Sequence, residues 1–451
     1  MDRFALAIII QNLNRFRWVY CQLEVLRDCL PPSVRRTLDE LPESLDETYE
    51  RVLKEIKKPN RDHARRLLSC LVAAVRPLRV EELAEVLAVD YDDEEGIPRL
   101  NPNWRWDDEE QALLTSCSSL IAIVESGDSR VVQFSHFSVK EYLTSDRLTT
   151  SSGDVLRYHI ALEPAHTILA QACLSIFLRS DDGVERNGVK TSSQLTEYAV
   201  EHWVIHAKYE NVSSYLRKAI EYLFDLDKPY FAAWRQLRDI DINAFNGSTF
   251  YQFTPFSKSD AVPLYYAALC GFQDCVEHLI LKNPQHVNAR GGYYVSPLVA
   301  ALSRKHFQVA KILRDNGADP DVRGHADRTP LHSAVYRGDV QTVQVLLEYK
   351  ADVNARIGNG NSPLHFLSQP VYSEISNVSR ILLEHGADVN ARNNDLFTPL
   401  HIMARHGMVE LARVLLEHGA NVGAEDKHGR TPFQLASSDD IIKLLSEHGA
   451  K

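Results

Sequence analysis

The sequence predicts a mainly α-helical protein in which helical domains precede a solenoid of stacked helical repeats. Three observations support this fold class. First, a motif recurs at intervals of 33 to 36 residues toward the C-terminus. Second, apolar residues recur at a spacing of three or four residues in the segments that precede this motif. Third, two short runs of strand-forming residues flank a Gly127-Asp128 turn. The 451 residues provide material for roughly two to four domains.

The repeat has a Ser/Thr-Pro-Leu-His core. Its prolines are spaced by 34, 33, 33, 36 and 33 residues, and they are Pro263, Pro297, Pro330, Pro363, Pro399 and Pro432. Serine or threonine caps a helix start, and proline fits the first helical position because its missing N–H costs no bond. The glycines of the Gly-Ala tails suit the left-handed conformation that ends a second helix. These glycines are Gly317, Gly386, Gly419 and Gly449.

This pattern resembles the ankyrin repeat and extends over residues 258–451 in about six units. The resemblance implies helix pairs that bury their apolar faces only by stacking, an α-solenoid. Three departures are visible. Tyr265 and Val299 replace the histidine in the first two units, three extra residues fall around residues 369–377, and the last unit is three residues short.

The resemblance implies a protein-binding scaffold, because ankyrin repeats bind partners on a concave surface of finger loops and first helices. Counting along the repeat places Val295 and a set of polar and aromatic side chains on that surface. The candidate partner-binding residues are Tyr293, Tyr294, His325, Arg328, Tyr336, Arg337, Asn359, Asn361, Asn394, Asp395, Phe397, Arg405, His406, Lys427 and His428. Tyrosine and arginine often dominate interface energies.

Before the repeats, the pattern predicts helices over residues 43–57, 61–75, 80–89 and 108–118, then strands over residues 120–124 and 131–134. Capping boxes are expected at Ser44 with Glu47 and at Ser138 with Glu141. This order is that of a winged-helix-like domain, assigned to residues 58–150. Further helices over residues 163–177 and 194–207 predict a helical spacer over residues 151–250.

Winged helices often bind DNA through the helix before the wing, but here that helix begins with Asp107, Asp108, Glu109 and Glu110. Carboxylates repel phosphate, and the formal net charge of −11 adds to the repulsion. We therefore expect no nucleic-acid binding and interpret the domain as an intramolecular packing module.

A wider resemblance covers nearly all of the chain. Residues 16–56 look like the tail of the nucleotide-binding region in fungal NACHT–ankyrin (STAND-type) proteins. Residues 76–90 and 131–145 look like the winged helix that follows it, which is also similar to one named after GPI inositol-deacylase-like proteins. The resemblance implies that residues 1–57 are a helical NACHT remnant. It also implies a sensor in non-self recognition or cell-death signalling.

Catalytic motifs do not accompany this resemblance. A P-loop needs GxxxxGK[ST], and the nearest string, at residues 183–191, has one residue too many before its lysine. Ser135, His136 and Asp146 lie close in sequence but lack a nucleophile elbow. We expect no enzyme activity and no cofactor. The alternative is the C-terminal part of an ATP-hydrolysing signalling switch whose P-loop domain is missing because Met1 is a misplaced start.

The remaining composition suggests a cytoplasmic protein. The seven cysteines form no CxxC pair, and the twelve histidines after residue 260 recur at structural positions of the repeat, so no metal site is expected. The apolar run at residues 4–10 is too short to span a bilayer and lacks a basic leader. We expect another protein as the partner, no membrane contact, and self-association as an option.

Overall fold

The computed structural model describes residues 44–91, 96–117, 119–149, 153–178, 193–237, 261–367 and 375–450. The chain divides into two compact units, residues 1–238 and residues 239–451. Both are mainly helical, which confirms the predicted fold class.

The first unit combines helices with short strands. Its helices are α1 Leu45–Glu55, α2 Arg61–Ala73, α3 Val80–Leu87, α4 Glu109–Cys117, α5 Phe137–Leu143, α6 Asp146–Thr149, α7 Leu162–Phe177, α8 Thr196–Ala207, α9 Val212–Tyr215, α10 Arg217–Leu223 and α11 Tyr230–Leu237. Its strands are β1 Leu78–Arg79, β2 Val89–Asp90, β3 Arg99–Leu100, β4 Ile121–Ser126 and β5 Ser129–Phe134.

The predicted wing is present as an antiparallel hairpin of β4 and β5, in which Ser126 pairs with Ser129. Gly127 lies between them at φ +61°, a conformation that glycine adopts without strain. The sequence did not indicate β1, which extends the sheet by pairing Leu78 with Val132. Strands β2 and β3 form a separate pair. Two-residue strands carry no periodicity, so only their pairing partners reveal them.

The start of α1 agrees with its predicted cap, because Ser44 Oγ accepts a hydrogen bond from the backbone of Glu47 at 3.2 Å. The predicted box at Ser138 is wrong. The cap of α5 is His136, whose ring nitrogen accepts from the Ser138 N–H at 3.3 Å. The Ser138 hydroxyl is buried and lies 2.8 Å from the hydroxyl of Tyr49, which connects α5 to α1.

Helices α7 and α8, predicted as a spacer, pack on the winged helix: α7 lies along α2, and α8 lies along α7. A buried aromatic cluster holds the end of this unit, with the Trp203 and Trp234 rings 5.6 Å apart and Phe177 against Trp203 at 5.9 Å. Glu85 of α3 accepts hydrogen bonds from Ser193 Oγ at 2.5 Å and from the Leu195 N–H at 2.8 Å. The segment before α8 is thereby fixed to the winged helix.

The second unit consists of stacked helix pairs. Its helices are α12 Pro263–Cys270, α13 Gln273–Lys282, α14 Pro297–Ser303, α15 Phe307–Asp315, α16 Pro330–Tyr336, α17 Val340–Glu348, α18 Ile375–Glu384, α19 Pro399–His406, α20 Val409–Glu417, α21 Pro432–Leu435 and α22 Asp439–Glu447. The fourth unit begins with a short 3-10 turn, Pro363–Phe366, in place of a first α-helix. The extra residues expected around residues 369–377 lie mostly outside the described part of the chain.

The predicted helix-ending glycines are confirmed. Gly317, Gly386, Gly419 and Gly449 have φ between +84° and +89°. Gly407 caps α19 at φ +70°. Lys350 stands at the corresponding place after α17, and it adopts φ +64° without being glycine.

Candidate protein-binding groove

Buried histidines connect each first helix to the next finger loop. The ring Nδ1 atoms of His332, His365 and His401 lie 2.8, 2.9 and 2.8 Å from the hydroxyls of their capping residues. Their Nε2 atoms lie 3.3, 3.0 and 3.1 Å from the carbonyl oxygens of Asn361, Phe397 and Arg430 in the following units. These rings therefore hold neighbouring units in register.

Burial lowers the pKa of His332 to about 4, and it also lowers the pKa values of His365 and His401. A neutral imidazole suits the observed contacts, since one nitrogen can accept from the cap while the other donates to the carbonyl. Both nitrogens of each ring are thus already engaged. The interpretation of these histidines as structural agrees with this geometry.

Two ladders run along the units beside the histidines. Arg323 Nη1 donates to the carbonyl of Arg356 at 2.9 Å, and the side chains of Arg356 and Arg392 donate in the same way to the carbonyls of Arg392 and Glu425. In the second ladder, Asn288, Asn354 and Asn390 donate to the carbonyls of Gly317, Gly386 and Gly419 at 2.8, 3.0 and 3.2 Å. The ladders fix the spacing of successive fingers.

The fingers at the end of the array are tied by short polar contacts. Asn393 Oδ1 accepts from the N–H groups of Asp395 and Phe397 at 3.0 and 2.9 Å, and Asp426 closes the next finger by accepting from Arg430 N at 2.9 Å. Burial raises the pKa of Asp426, but hydrogen bonds from Arg430 and His428 outweigh it and hold the pKa at about 2. A rigid turn therefore presents the finger tips.

The fingers and first helices of the third to fifth units enclose a groove with a volume of about 600 Å³. Its walls combine aromatic, aliphatic, amide and cationic side chains. The lining residues are Ala326, Arg328, Tyr336, Ile357, Gly358, Asn359, Asn361, His365, Phe366, Asn393, Phe397, His401, Ile402, Arg405 and His406. A concave site with apolar walls and a few polar groups is typical of ligand-binding clefts.

Several predicted partner-binding residues meet in this groove. They are Arg328, Tyr336, Asn359, Asn361, Phe397, Arg405 and His406. The guanidinium carbon of Arg328 lies 4.9 Å from the centre of the Phe366 ring and 5.5 Å from that of Tyr336. Arg405 and His406 are exposed at the end of α19. Whether these side chains bind a partner stays a prediction.

The other candidates lie elsewhere on the repeats. The side chains of Arg337, Asn394, Asp395, Lys427 and His428 are exposed but do not line the groove. Lys427 Nζ instead pairs with Asp395 Oδ1 of the preceding finger at 2.5 Å.

The remaining three candidates lie in two fingers near the start of the repeats. Tyr293 and Tyr294 are half-buried in the finger before α14, with their rings 5.0 Å apart. His325 belongs to the next finger, and its side chain is outside the described part of the structure.

The placement of Val295 on the binding surface is wrong, because its side chain is only 7% exposed. It points inward at φ +71°, an unusual conformation for a β-branched residue. Sequence counting also missed groove residues, among them Phe366, Ile357 and Ile402. An aromatic residue directly after Leu-His was the available signal for Phe366. The 3-10 turn that directs this ring could not be read from the repeat.

The sequence also raises other kinds of site, namely a catalytic serine, a metal site, a membrane span and a P-loop. Ser135 Oγ donates to the carbonyl of Ser119, and His136 Nδ1 contacts Ser138 Oγ at 2.6 Å. Among the described residues, no group of three or more histidine, cysteine or acidic side chains could hold a metal ion. No described helix is both long and apolar enough to cross a membrane. The string at residues 183–191 lies outside the described residues.

On the winged helix, the acidic helix α4 lies against the wing. Arg130 of β5 forms an ion pair with Glu110 of α4, and it lies 3.9 Å from Glu81 of α3. The pKa of Glu109 is raised by burial and by the neighbouring Glu81 and Glu85. Acidic side chains crowd this face, which would repel rather than attract a phosphate backbone.

Comparison with known families agrees with both halves of this architecture. Residues 49–153 match the family described as GPI inositol-deacylase, winged helix domain. Residues 298–393 match ankyrin repeats (3 copies), and residues 382–436 match ankyrin repeats (many copies).

Two curated proteins show partial similarity. The azaphilone pigments biosynthesis cluster protein L of Monascus ruber is 31% identical over 298 residues, which cover 62% of this chain. The aligned region spans 61% of that relative's length. Alpha-latrocrustotoxin-Lt1a of Latrodectus tredecimguttatus is 39% identical over 62 residues, 14% of this chain and 4% of the toxin. The chain thus contains a winged-helix domain of the GPI inositol-deacylase type followed by C-terminal ankyrin repeats.

Proposed function

We propose that this chain is a protein-binding scaffold that holds another protein in the groove of its third to fifth ankyrin units, and that it acts by binding rather than by catalysis. One observation carries the proposal: Arg328, Tyr336, Phe397 and Arg405 converge on one concave groove. Tyrosine and arginine in a partly desolvated cleft are common among residues that dominate interface energies. The family matches support a role in protein interaction.

The finer proposal is that the repeats are the sensor of a NACHT–ankyrin signalling protein in the cytoplasm, acting in non-self recognition or cell death. It is supported by the similarity of residues 16–56 to such proteins and by the order of winged helix and repeats. Neither relative's name states such an activity. The alternative is part of an ATP-hydrolysing signalling switch. Because the sequence contains no GxxxxGK[ST] string, calorimetry of this chain should detect no ATP binding, and micromolar binding would overturn that expectation.

The double variant Tyr336→Ala with Arg405→Ala tests the binding proposal. The chain is immobilised, incubated with lysate of its source cells, and retained proteins are quantified by mass spectrometry. We expect at least one protein retained by the wild type to fall about tenfold on the double variant, since removing two interface hot spots weakens binding by that order or more. Thermal melting should change little, because Arg405 is exposed and Tyr336 is half-buried.

A matched control is Arg380→Ala with Arg413→Ala, two exposed arginines on the second helices α18 and α20. This control should retain the same proteins as the wild type. If the groove variant and the control retain identical sets, the groove is not the binding surface and the proposal fails.

A further inference from the structure

The polar lining of the groove is unbalanced in charge. Its basic side chains are Arg328, Arg405 and three histidines, and none of its lining residues is an aspartate or a glutamate. The ring nitrogens of His365 and His401 are occupied by the repeat frame, whereas Arg405 and His406 are exposed to solvent. Within the described residues, the groove therefore offers cations without their own carboxylates.

Arg328 carries the strongest sign of a missing acceptor. Its guanidinium lies over the Phe366 and Tyr336 rings, and its Nε is buried without a hydrogen-bond partner in the described structure. The terminal nitrogens of the guanidinium likewise make no hydrogen bond or ion pair with a described residue, so they are available to an incoming acceptor. A carboxylate matches the planar guanidinium through paired N–H donors.

The amide side chains add neutral donors. The side-chain oxygen of Asn359 accepts from the Asn361 N–H of the same finger at 3.1 Å, and that of Asn361 accepts from Asn393 Nδ2 of the next finger at 2.8 Å. Their own amide nitrogens make no hydrogen bond within the described residues. Such donors suit the free carbonyl oxygens of an extended peptide. The apolar walls, formed by Ile357, Phe366 and Ile402, suit a bulky apolar side chain.

Building on the proposed function, we propose that the groove binds an extended peptide segment of a partner protein in which an Asp or Glu lies next to a bulky apolar residue. The carboxylate lies between Arg328 and Arg405, and the apolar side chain packs on Phe366 and Phe397. Nucleic acid fits less well, because its phosphates need a run of unpaired cations, whereas Arg323 and Lys427 on the flanking fingers already pair with Asp327 and Asp395. A short acidic segment avoids those carboxylates, whereas a continuous phosphate backbone meets them.

A display library of random dodecamer peptides, selected on the full chain, tests the proposal without knowledge of the natural partner. Selection on the wild type is compared with selection on Tyr336→Ala/Arg405→Ala, and groove-dependent peptides are synthesised. We expect Asp or Glu next to Leu, Ile, Phe or Trp to be enriched. Fluorescence anisotropy then measures each labelled peptide, its Asn or Gln analogue, and a labelled oligouridylate.

Arg405→Gln should weaken the best acidic peptide about tenfold, the usual scale for one charge-assisted hydrogen bond. Arg413→Gln, which removes an equally exposed arginine from α20, should leave the affinity unchanged. Replacing Glu by Gln in the peptide should lower its affinity. Combining this change with Arg405→Gln should lower the affinity little further, because both changes remove the same contact. Arg405 is exposed, so its replacement should not disturb folding, and Arg328→Gln serves as the second variant.

The outcomes separate the two proposals. Groove-dependent peptides without acidic enrichment, or equal affinity of wild type and Arg405→Gln, overturn the acidic-segment inference and leave a protein-binding groove. Oligouridylate that binds and displaces the peptide overturns the inference in favour of a polyanion. The absence of any peptide that prefers the wild type to Tyr336→Ala/Arg405→Ala overturns the acidic segment. The proposed groove is overturned with it only if the groove variant and its Arg380→Ala/Arg413→Ala control also retain identical proteins from the lysate.

Discussion

The backbone N–H of Asp352 donates to both carboxylate oxygens of Asp321, at 3.1 and 3.0 Å. In the corresponding places of other units, an asparagine oxygen accepts this bond, and the asparagine nitrogen donates to the carbonyl of the next helix-ending glycine. Asp321 has no hydrogen to donate when ionised. Its pKa is raised, mainly by burial, so its charged form is disfavoured in the fold.

Asp321→Asn should therefore stabilise the repeats. The new amide can donate to the carbonyl of Lys350, a gain of about 0.5–1.5 kcal/mol for one hydrogen bond. Because the folded pKa is raised, the favourable contribution of Asp321 is present at low pH and is lost as pH rises through that pKa. Urea unfolding should thus show a larger gain at pH 7 than at pH 4. An equal gain at both values would contradict the ionisation argument.

Lys350→Gly should also stabilise the second unit, because Lys350 ends α17 at φ +64°. A left-handed conformation costs a non-glycine residue about 1 kcal/mol, and the gain should approach this value. The reverse change, Gly386→Lys, tests the same position after α18. Gly386 has φ +85°, and no atom lies within 4 Å of an added Cβ. The loss of stability in this variant would therefore come from the backbone conformation alone. Effects of the same sign in the two variants would refute the explanation.

Gly407→Val should destabilise the repeats by about 2 kcal/mol, since a β-branched residue resists a positive φ. Gly407 has φ +70°, and an added Cβ would lie 3.1 Å from Ser437 Oγ. Gly358→Ala is the control, because no atom lies within 4 Å of its Cβ position and its φ is not in the left-handed range. Thermal melting of the two variants and the wild type checks this prediction. A Tm of Gly407→Val equal to that of the wild type would mean that the repeat is misaligned.

These positions show which structural features could be predicted from the sequence and which could not. The helix starts at Pro330 and Pro399 and the glycine after α19 follow from local chemistry, so the motif located them. The inward placement of Val295 depends on how the first finger packs, which no local pattern encodes. The 3-10 turn that directs Phe366 into the groove arises where the repeat departs from its period.

The same limit applies to the first unit. The wing was predictable because Gly127 and Asp128 separate two β-rich runs. By contrast, Glu85 reads as an ordinary surface residue of an amphipathic helix, and only the fold shows it buried beneath Ser193. Contacts between residues distant in the chain were therefore the part that sequence reasoning missed.

Glu85→Ala should weaken the attachment of α8 to the winged helix and lower the free energy of unfolding by about 3 kcal/mol. The reason is that Arg105, Ser193 and the Leu195 N–H would lose their shared acceptor. Hydrogen exchange should increase in α8 before it increases in α2. Glu81→Ala, which removes a carboxylate 3.9 Å from Arg130, is the matched control and should be nearly neutral. Unchanged exchange in α8 of the Glu85 variant would show that another contact fixes this segment.

A buried histidine should make the first unit sensitive to acid. His206 Nδ1 lies 2.8 Å from His166 Nδ1, and its Nε2 lies 2.8 Å from the hydroxyl of Tyr198. Burial, followed by the charges of His166 and His202, lowers the pKa of His206 from 6.5 to about 3. The unfolded chain then binds the proton first, so stability falls as pH decreases below 6.5, by at most about 1.4 kcal/mol per pH unit for this group.

His206→Gln removes this titration and keeps polar atoms near Tyr198. Its unfolding free energy, measured by urea between pH 7 and pH 4, should depend less steeply on pH than that of the wild type, even though the variant is less stable at pH 7. His428→Gln, at an exposed finger position, should keep the wild-type slope. Parallel curves for His206→Gln and the wild type would mean that His206 titrates alike in the folded and unfolded chains. The acid sensitivity would then have to arise from another group.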